Sequence, residues 1–289
     1  MNYIKTIFLP ITIPMKFIQE HFKAMIFLLI LFLIFAPDDE KNLSSNNLQE
    51  IHLVGAIMDS SEIVKEIDDA RVDNNIKGVL LNVNSPGGAV APSIEIAYAI
   101  KRLQKVKPVV VYASGTLASG SYYSSIWANE IIANPGSMVG SIGVIMEGAN
   151  LSGLMQKLGI QSQSIQAGKF KKVGTPERKW SEAEVAELNK VIQGTYDMFT
   201  KDVADARELD YSKRDIFANA HIFTALQAKE VGLIDFLGVN YDAKKRVETL
   251  SNVSNPIWNK ENKFDKIMKK LTASTAIVLH TYFPNMILR

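Results

Sequence analysis

The sequence predicts an α/β protein organised around a parallel sheet. Largely apolar runs of strand length, such as GVLLNVN at 78–84 and PVVVYA at 108–113, recur along the chain. Runs without a regular polar face are typical of strands covered on both sides, as in parallel sheets. Stretches with helical periodicity separate these runs, and the resulting βαβ alternation favours helical crossovers between parallel strands.

The first half of the chain gives the clearest elements. Proline at position 92 stands near the start of a helical stretch, where it is well tolerated because the first N–H groups of a helix need no partner within it. The predicted elements are strands at 51–58, 78–84, 108–113 and 130–135, and helices at 59–73, 92–104 and 121–128.

The second half contains one long helix. Ser181 and Glu184 form a capping-box pattern that predicts a helix from 181 to about 206. In the stretch 221–235, a strand end is followed by a short helix that Gly232 stops. The remaining predictions are strands at 141–148 and 161–168 and helices at 151–160 and 242–254.

Composition excludes several kinds of site. The 289 residues include no cysteine, so disulfides, thiolate catalysis and cysteine–zinc sites are excluded. The net charge is +2, and no basic run is interleaved with aromatic residues, so the sequence predicts no nucleic-acid partner. We also predict no metal site and no cofactor. Only four histidines are present.

An apolar segment near the N-terminus predicts a membrane anchor. Residues 24–36 are uncharged and apolar, three lysines precede them, and acidic residues follow. The run is shorter than a full membrane span, so a cleaved signal peptide and an interfacial or buried helix remain alternatives. The positive flank predicts a cytoplasmic N-terminus. The chain then divides into an anchor region at 1–36, a linker at 37–50, a globular domain at 51–250 and a tail at 251–289.

Two turns rich in small residues are candidate parts of a catalytic site. SPGG at 85–88 ends a strand, and glycine N–H groups at such a turn can donate to an oxyanion, although an ordinary turn has the same composition. Ser119 lies between the strand PVVVYA and a short helix, where a hydroxyl can act as a nucleophile or simply as a helix cap. Other serines lie nearby, so composition alone does not select Ser119.

A serine nucleophile needs a base, and histidine does not fit. His52 lies within the first strand and His221 at the start of a late one, which favours structural roles for both. A neutral lysine can act as the base where it is desolvated. The stretch GKFKK at 168–172 contains candidate lysines, and a solvated basic loop is the alternative.

Taken together, these motifs resemble the signal peptide peptidase A family of membrane-anchored Ser/Lys proteases. The matching stretches are NVNSPGG (82–88), ASGSYY (118–123), ANPGSMVGSIGVI (133–145) and GKFKKVGTPER (168–178). The resemblance implies Ser119 as the nucleophile and Lys171, within a GxxKxxxxP pattern, as the general base. It further implies that Ser141 orients the lysine, and that Gly88, with Gly87 beside it, supplies the oxyanion donor.

This chain departs from the family pattern at two positions. Ser121 replaces the second glycine of the family's ASGGYY motif and is a rival hydroxyl two residues from Ser119. Lys172 stands where the family often carries an acidic residue.

The resemblance also carries expectations about fold, substrate and assembly. It implies a ClpP/crotonase-like fold of repeated ββα and βαβ units over about 51–250, acting without a cofactor. The expected substrates are remnant signal peptides. The expected location is the bacterial inner membrane, with the catalytic domain on the extracytoplasmic, periplasmic side. The expected assembly is a ring- or dome-shaped homo-oligomer, from tetramer to octamer. A stomatin-associated membrane serine protease of the same fold and an inactive oligomeric scaffold are the alternatives.

Overall fold

A computed structural model describes residues 21–28 and 46–259 of the chain. Residues 21–28 are helical and exposed, and most of the predicted anchor, like the tail beyond 259, lies outside the described residues. Among the helices that are described, none combines the length and apolarity needed to cross a membrane. Residues 46–259 belong to one compact unit.

Seven strands in this unit form a single, mostly parallel sheet. The strands are β1 (Leu48–Val54), β2 (Gly78–Ser85), β3 (Val109–Ala118), β4 (Glu130–Ala133), β5 (Met138–Gly140), β6 (Ile222–Thr224) and β7 (Phe236–Leu237). Five of them follow the order β1-β2-β3-β4-β7 with parallel pairing, β5 pairs in parallel with the second half of β3, and β6 pairs antiparallel with β5. The predicted α/β architecture with a parallel sheet is confirmed.

Helices cover both faces of the sheet. They are α1 (Ser61–Val72), α2 (Val90–Leu103), α3 (Gly120–Ser125), α4 (Ser152–Lys157), α5 (Glu182–Arg207), α6 (Arg214–Phe217), α7 (Ala225–Glu230) and α8 (Asn240–Leu250). The larger core lies on the face packed by α1, α2, α3 and α5, and the smaller one lies beneath α8. The largely apolar strands predicted from the sequence are therefore buried on both sides over their first halves.

The segment after β5 differs from its prediction. Neither 141–148 nor 161–168 is a strand, and the extended pairing ends at Gly140. Ser141 has a φ of 50°, which is incompatible with a continuing strand. Ile142 is buried in the larger core, whereas the apolar residues farther along, such as Ile145 at 77% exposure, lie largely at the surface. The helix predicted at 151–160 is correspondingly reduced to α4.

Candidate active site

Ser119 lies in a strained turn between β3 and α3. Its backbone has φ 52° and ψ −124°, a combination that non-glycine residues rarely adopt and that costs on the order of 1–3 kcal/mol. Its N–H donates to the Gly140 carbonyl at 2.8 Å, and its carbonyl accepts from the Tyr123 N–H at 3.0 Å. The Ser119 hydroxyl has no hydrogen-bond partner among the described residues. The backbone is therefore fixed while the hydroxyl is unengaged.

The SPGG turn packs directly against this serine. The Ile57 N–H donates to the Gly87 carbonyl at 2.9 Å, and the Ile57 carbonyl accepts from the Ala89 N–H at 2.7 Å. Gly87 has a φ of 92°, and a Cβ there would lie 2.9 Å from the Ser119 Cβ. A Cβ at Gly88 would overlap the Ile57 backbone. Glycine at position 87 allows the close approach to Ser119, and glycine at position 88 allows the close approach to Ile57.

Two backbone N–H groups beside Ser119 are available as donors. Neither the Gly88 N–H nor the Gly120 N–H has an acceptor within the described chain. A Cβ placed on Gly120 would lie 3.2 Å from the Gly88 nitrogen, so the two residues are close neighbours. Paired backbone donors of this kind can hold an oxyanion. The sequence interpretation included Gly88 but missed Gly120, although its place directly after the serine and at the start of a helix was a usable signal.

A cavity of about 90 Å³ opens next to Ser119. The long helix α5 contributes Thr195, Met198 and Phe199 to its lining, to which Ser119 and Gly88 also belong. Tyr123 connects the Ser119 turn to α5 because its ring meets Phe199 edge-on, with centroids 5.0 Å apart. Apart from the serine and threonine hydroxyls, the side chains named here are apolar or aromatic.

Tyr123 is also held at its hydroxyl, which donates to the Asp202 carboxylate on α5. Burial and then this hydrogen bond raise the pKa of Tyr123, so the phenol stays protonated. Its position fixes the distance between the Ser119 turn and α5. We therefore regard Tyr123 as part of the cavity framework.

Ser121 does not face the cavity. Its side chain is fully buried, and the hydroxyl donates toward the Ser85 carbonyl at 2.7 Å and the Ala118 carbonyl at 2.9 Å. It also accepts from the Ala118 N–H at 2.9 Å. The departure from the family motif therefore supplies hydrogen bonds within the turn and does not place a second hydroxyl beside Ser119.

Ser141 directly follows Gly140, whose carbonyl accepts from the Ser119 N–H. Its N–H donates to the His221 carbonyl at 2.7 Å, and no partner for its hydroxyl is found in the described part of the chain. Because Gly140 accepts from Ser119, the two serine turns are joined through one peptide unit. The structure thus brings together Ser119, Ser141, Gly87 and Gly88.

Lys171 does not line the cavity beside Ser119. It is exposed in a turn where its N–H donates to the Gly168 carbonyl at 3.2 Å. The neighbouring Lys172 forms an ion pair with Glu177 at 2.5 Å. The described residues show no hydrogen bond between the candidate base and the candidate nucleophile. No grouping of histidine and carboxylate side chains in the described ranges is suited to hold a metal ion.

The chain resembles known peptidases in sequence. Residues 101–254 match Peptidase family S49. A protein named as a protease in Methanocaldococcus jannaschii is 45% identical over 198 residues, covering 68% of this chain and 64% of its own length. A protein of Enterococcus faecium that bears the name signal peptide peptidase SppA is 33% identical over 218 residues, covering 71% of this chain and 63% of its own length.

These matches cover about two thirds of this chain, but only part of each relative's length. The chain spans just under two thirds of the length of both relatives. Among solved structures, a mutant of a membrane-bound stomatin-specific protease aligns with a TM-score of 0.46 and 15% identity, covering 71% of this chain and 86% of the other. The family match spans more than half of the chain. This protein therefore belongs to peptidase family S49.

Proposed function

We propose that this protein is a serine endopeptidase with Ser119 as its nucleophile. The observation that carries the proposal is the strained Ser119 turn, whose unengaged hydroxyl lies beside the Gly88 and Gly120 N–H groups and opens on an apolar cavity. A nucleophile, oxyanion donors and a side-chain pocket at one point are what acyl transfer requires.

The reaction would proceed through an acyl-enzyme. The Ser119 Oγ attacks the scissile carbonyl and gives its proton to neutral Lys171, while the Gly88 and Gly120 N–H groups hold the oxyanion. The protonated lysine then passes the proton to the leaving amine. Water, deprotonated by the same lysine, hydrolyses the ester. Ser141 orients the lysine amine, and Gly87 keeps the donor turn against Ser119.

The proposal includes a homo-oligomer, because Lys171 is exposed in the single chain and a neutral lysine requires desolvation. No residue from 143 to 183 is buried in the described chain, and this segment contains exposed apolar side chains such as Leu158 and Ile165. A second copy would cover these side chains and could bring Lys171 to a neighbour's Ser119. We propose a ring or dome of four to eight subunits.

The proposed substrates are remnant signal peptides, and the proposed location is the extracytoplasmic side of the inner membrane. The apolar run at 24–36 would be the anchor. The small apolar cavity fits the short aliphatic side chains of such peptides, and one relative bears the name signal peptide peptidase. The finer fold assignment, ClpP/crotonase-like, belongs to the same proposal and agrees with the βαβ order of β1 to β4.

Hydrolysis of a fluorogenic apolar peptide by the purified full chain tests the proposal. Ser119→Ala and Lys171→Ala should each abolish turnover, while Lys169→Ala, in the same exposed turn, should retain it. Activity in either purified Ser119→Ala or Lys171→Ala would reject the assigned residue.

Co-assembly of the two inactive variants tests the shared site. If serine and lysine come from neighbouring subunits, a random equal mixture should regain about a quarter of the wild-type activity, since one interface in four combines the two intact residues. If both residues come from one chain, the mixture should stay inactive.

A further inference from the structure

A bulge in the pairing of β2 with β3 sets the position of the Ser119 turn along the strand direction. In the pairing of β2 with β3, Val83 lies opposite Ala113, but Ser85 lies opposite Leu117. Two steps along β2 therefore correspond to four along β3. Such an irregularity leaves backbone groups without ladder partners and must be held by other contacts.

The side chain of Asn84 holds this bulge. Its Oδ1 accepts from the Thr116 N–H at 3.0 Å, in place of a backbone carbonyl. A Cβ on Gly115 would lie 2.9 Å from the Asn84 Cγ, so the amide rests directly on the bulged backbone. On its other side, the Asn84 carbonyl accepts from the Gly55 N–H at 3.0 Å, which ties the residue to the end of β1.

The part of β3 beyond the bulge carries the candidate site. Thr116 pairs with Met138 and Ala118 pairs with Gly140, so β5 follows the same displacement. Ser119 comes directly after Ala118 in the chain. A shift of Thr116 would therefore move the Ser119 hydroxyl relative to the Gly88 N–H, which belongs to the turn that follows the strand carrying Asn84.

We infer that Asn84 is a positioning residue, which aligns Ser119 with the Gly88 donor through the Thr116 N–H; the inference rests on the proposed function. Asn82 provides the contrast. It lies two residues earlier on the same face of β2, but its amide donates to the Glu50 carboxylate at 2.8 Å and has no described side-chain bond to β3.

Three variants of the full chain test this role. Asn84→Leu removes the acceptor at similar size, Asn84→Asp keeps an acceptor, and Asn82→Leu is the matched control. We expect Asn84→Leu to lower kcat by about ten- to a hundredfold with KM nearly unchanged, because a small misplacement of the nucleophile affects the chemical step. Asn84→Asp should recover most of kcat, and Asn82→Leu should stay within about threefold of wild type.

Hydrogen–deuterium exchange of the peptide containing Thr116 to Ser119 gives a readout that needs no turnover. Exchange should be faster in Asn84→Leu and unchanged in Asn82→Leu. Unchanged exchange in Asn84→Leu, or faster exchange with an unaltered kcat, would overturn the inference. A wild-type chain without any turnover would instead count against the proposed function, and the exchange comparison would still show whether Asn84 holds the turn.

Discussion

The N–H of Ser119 donates to the carbonyl of Gly140 at 2.8 Å, and this bond joins the ends of two neighbouring strands. The residues that follow the two strands, Ser119 and Ser141, have φ angles of 52° and 50°. Both turns thus depart from the sheet with the same unusual sign of φ. Strain of this kind persists only where surrounding contacts enforce it, and here the hydrogen bond and the β3–β5 pairing do so.

Gly140→Ala should disrupt this junction. Gly140 has a φ of 110°, and a Cβ there would lie 2.7 Å from the His221 carbonyl and 2.9 Å from the Phe223 ring. We expect a loss of stability of at least about 1 kcal/mol and slower labelling of Ser119 by a fluorophosphonate probe. Gly194→Ala in α5 is the control, because a Cβ at that position would meet no atom within 4 Å beyond its own helix backbone; it should be neutral or stabilising. Wild-type labelling in Gly140→Ala would contradict the importance of the junction.

Ser121→Ala should affect stability more than reactivity. The substitution leaves the Ser85 carbonyl and the Ala118 N–H without their buried partner. We expect unfolding in urea to become easier by about 1–3 kcal/mol, while probe labelling of the folded protein persists. If Ser121→Ala lost labelling and Ser119→Ala kept it, the nucleophile would have to be reassigned.

Met198→Ala should widen the side-chain preference. Met198 lines the cavity from α5 and is 37% exposed, so its truncation enlarges the pocket without removing a core residue. We expect kcat/KM for peptides with phenylalanine at the cleaved position to rise about tenfold relative to alanine. Val191→Ala, an exposed position on the same helix, should leave the ratio unchanged. An unchanged ratio in Met198→Ala would show that this cavity does not bind the substrate side chain.

The sequence was sufficient for the strands β1 to β4 and for the place of Ser119 between β3 and α3, because both depend on local patterns. Apolar runs such as 108–113 identify strands wherever burial is two-sided. The strand predicted at 141–148 was wrong because the chain turns at Ser141, whose φ is 50°. Hydrophobicity marks Ile142 and Ile145 alike, although the first is buried in the core and the second is exposed. The helix signal at Ser181 and Glu184, by contrast, is entirely local and is confirmed.

The candidate site was only partly accessible from sequence. The resemblance to the family motifs made Gly88 and Ser119 candidate residues, and a single pair of turns brings them together. The Gly120 N–H donor was missed because every residue except proline has a backbone N–H. Only the position of Gly120 in the chain could have indicated this donor. The role of Asn84 depends on a two-residue register shift that no periodicity reveals. The place of Lys171 relative to Ser119 in the active protein stays a prediction.

Acid should remove the contribution of Glu184 to stability. Hydrogen bonds from the Arg178 guanidinium and then from Ser181 lower the pKa of Glu184 to about 2 from its ordinary value of 4.5. A lowered folded-state pKa means that the stabilisation is complete above pH 4.5 and is lost as the pH falls toward 2. We expect Glu184→Gln to melt below wild type at pH 7, with the gap closing between about pH 4.5 and 2.

Glu182→Gln is the matched control for this pH series. Glu182 is exposed in the same first turn of α5 and has no ion pair among the described contacts. Its substitution should leave the melting temperature at about pH 7 nearly unchanged. A gap between wild type and Glu184→Gln that stays constant throughout the acid range would show that the variant acts through packing and not through the carboxylate charge.

Two ion pairs, Arg207–Asp235 and Arg246–Glu130, link separate elements of the unit. Their contributions to the free energy of unfolding should differ sharply. Arg207, 9% exposed, forms a bidentate pair with Asp235, whose Oδ2 also accepts from the Ile131 N–H at 2.7 Å. Asp235→Ala leaves a buried guanidinium without its counter-charge and should cost about 3–5 kcal/mol in urea unfolding. Arg246, paired with Glu130, is 40% exposed, so Glu130→Ala should cost only about 1 kcal/mol. Equal losses in the two variants would show that burial does not decide the strength of these pairs.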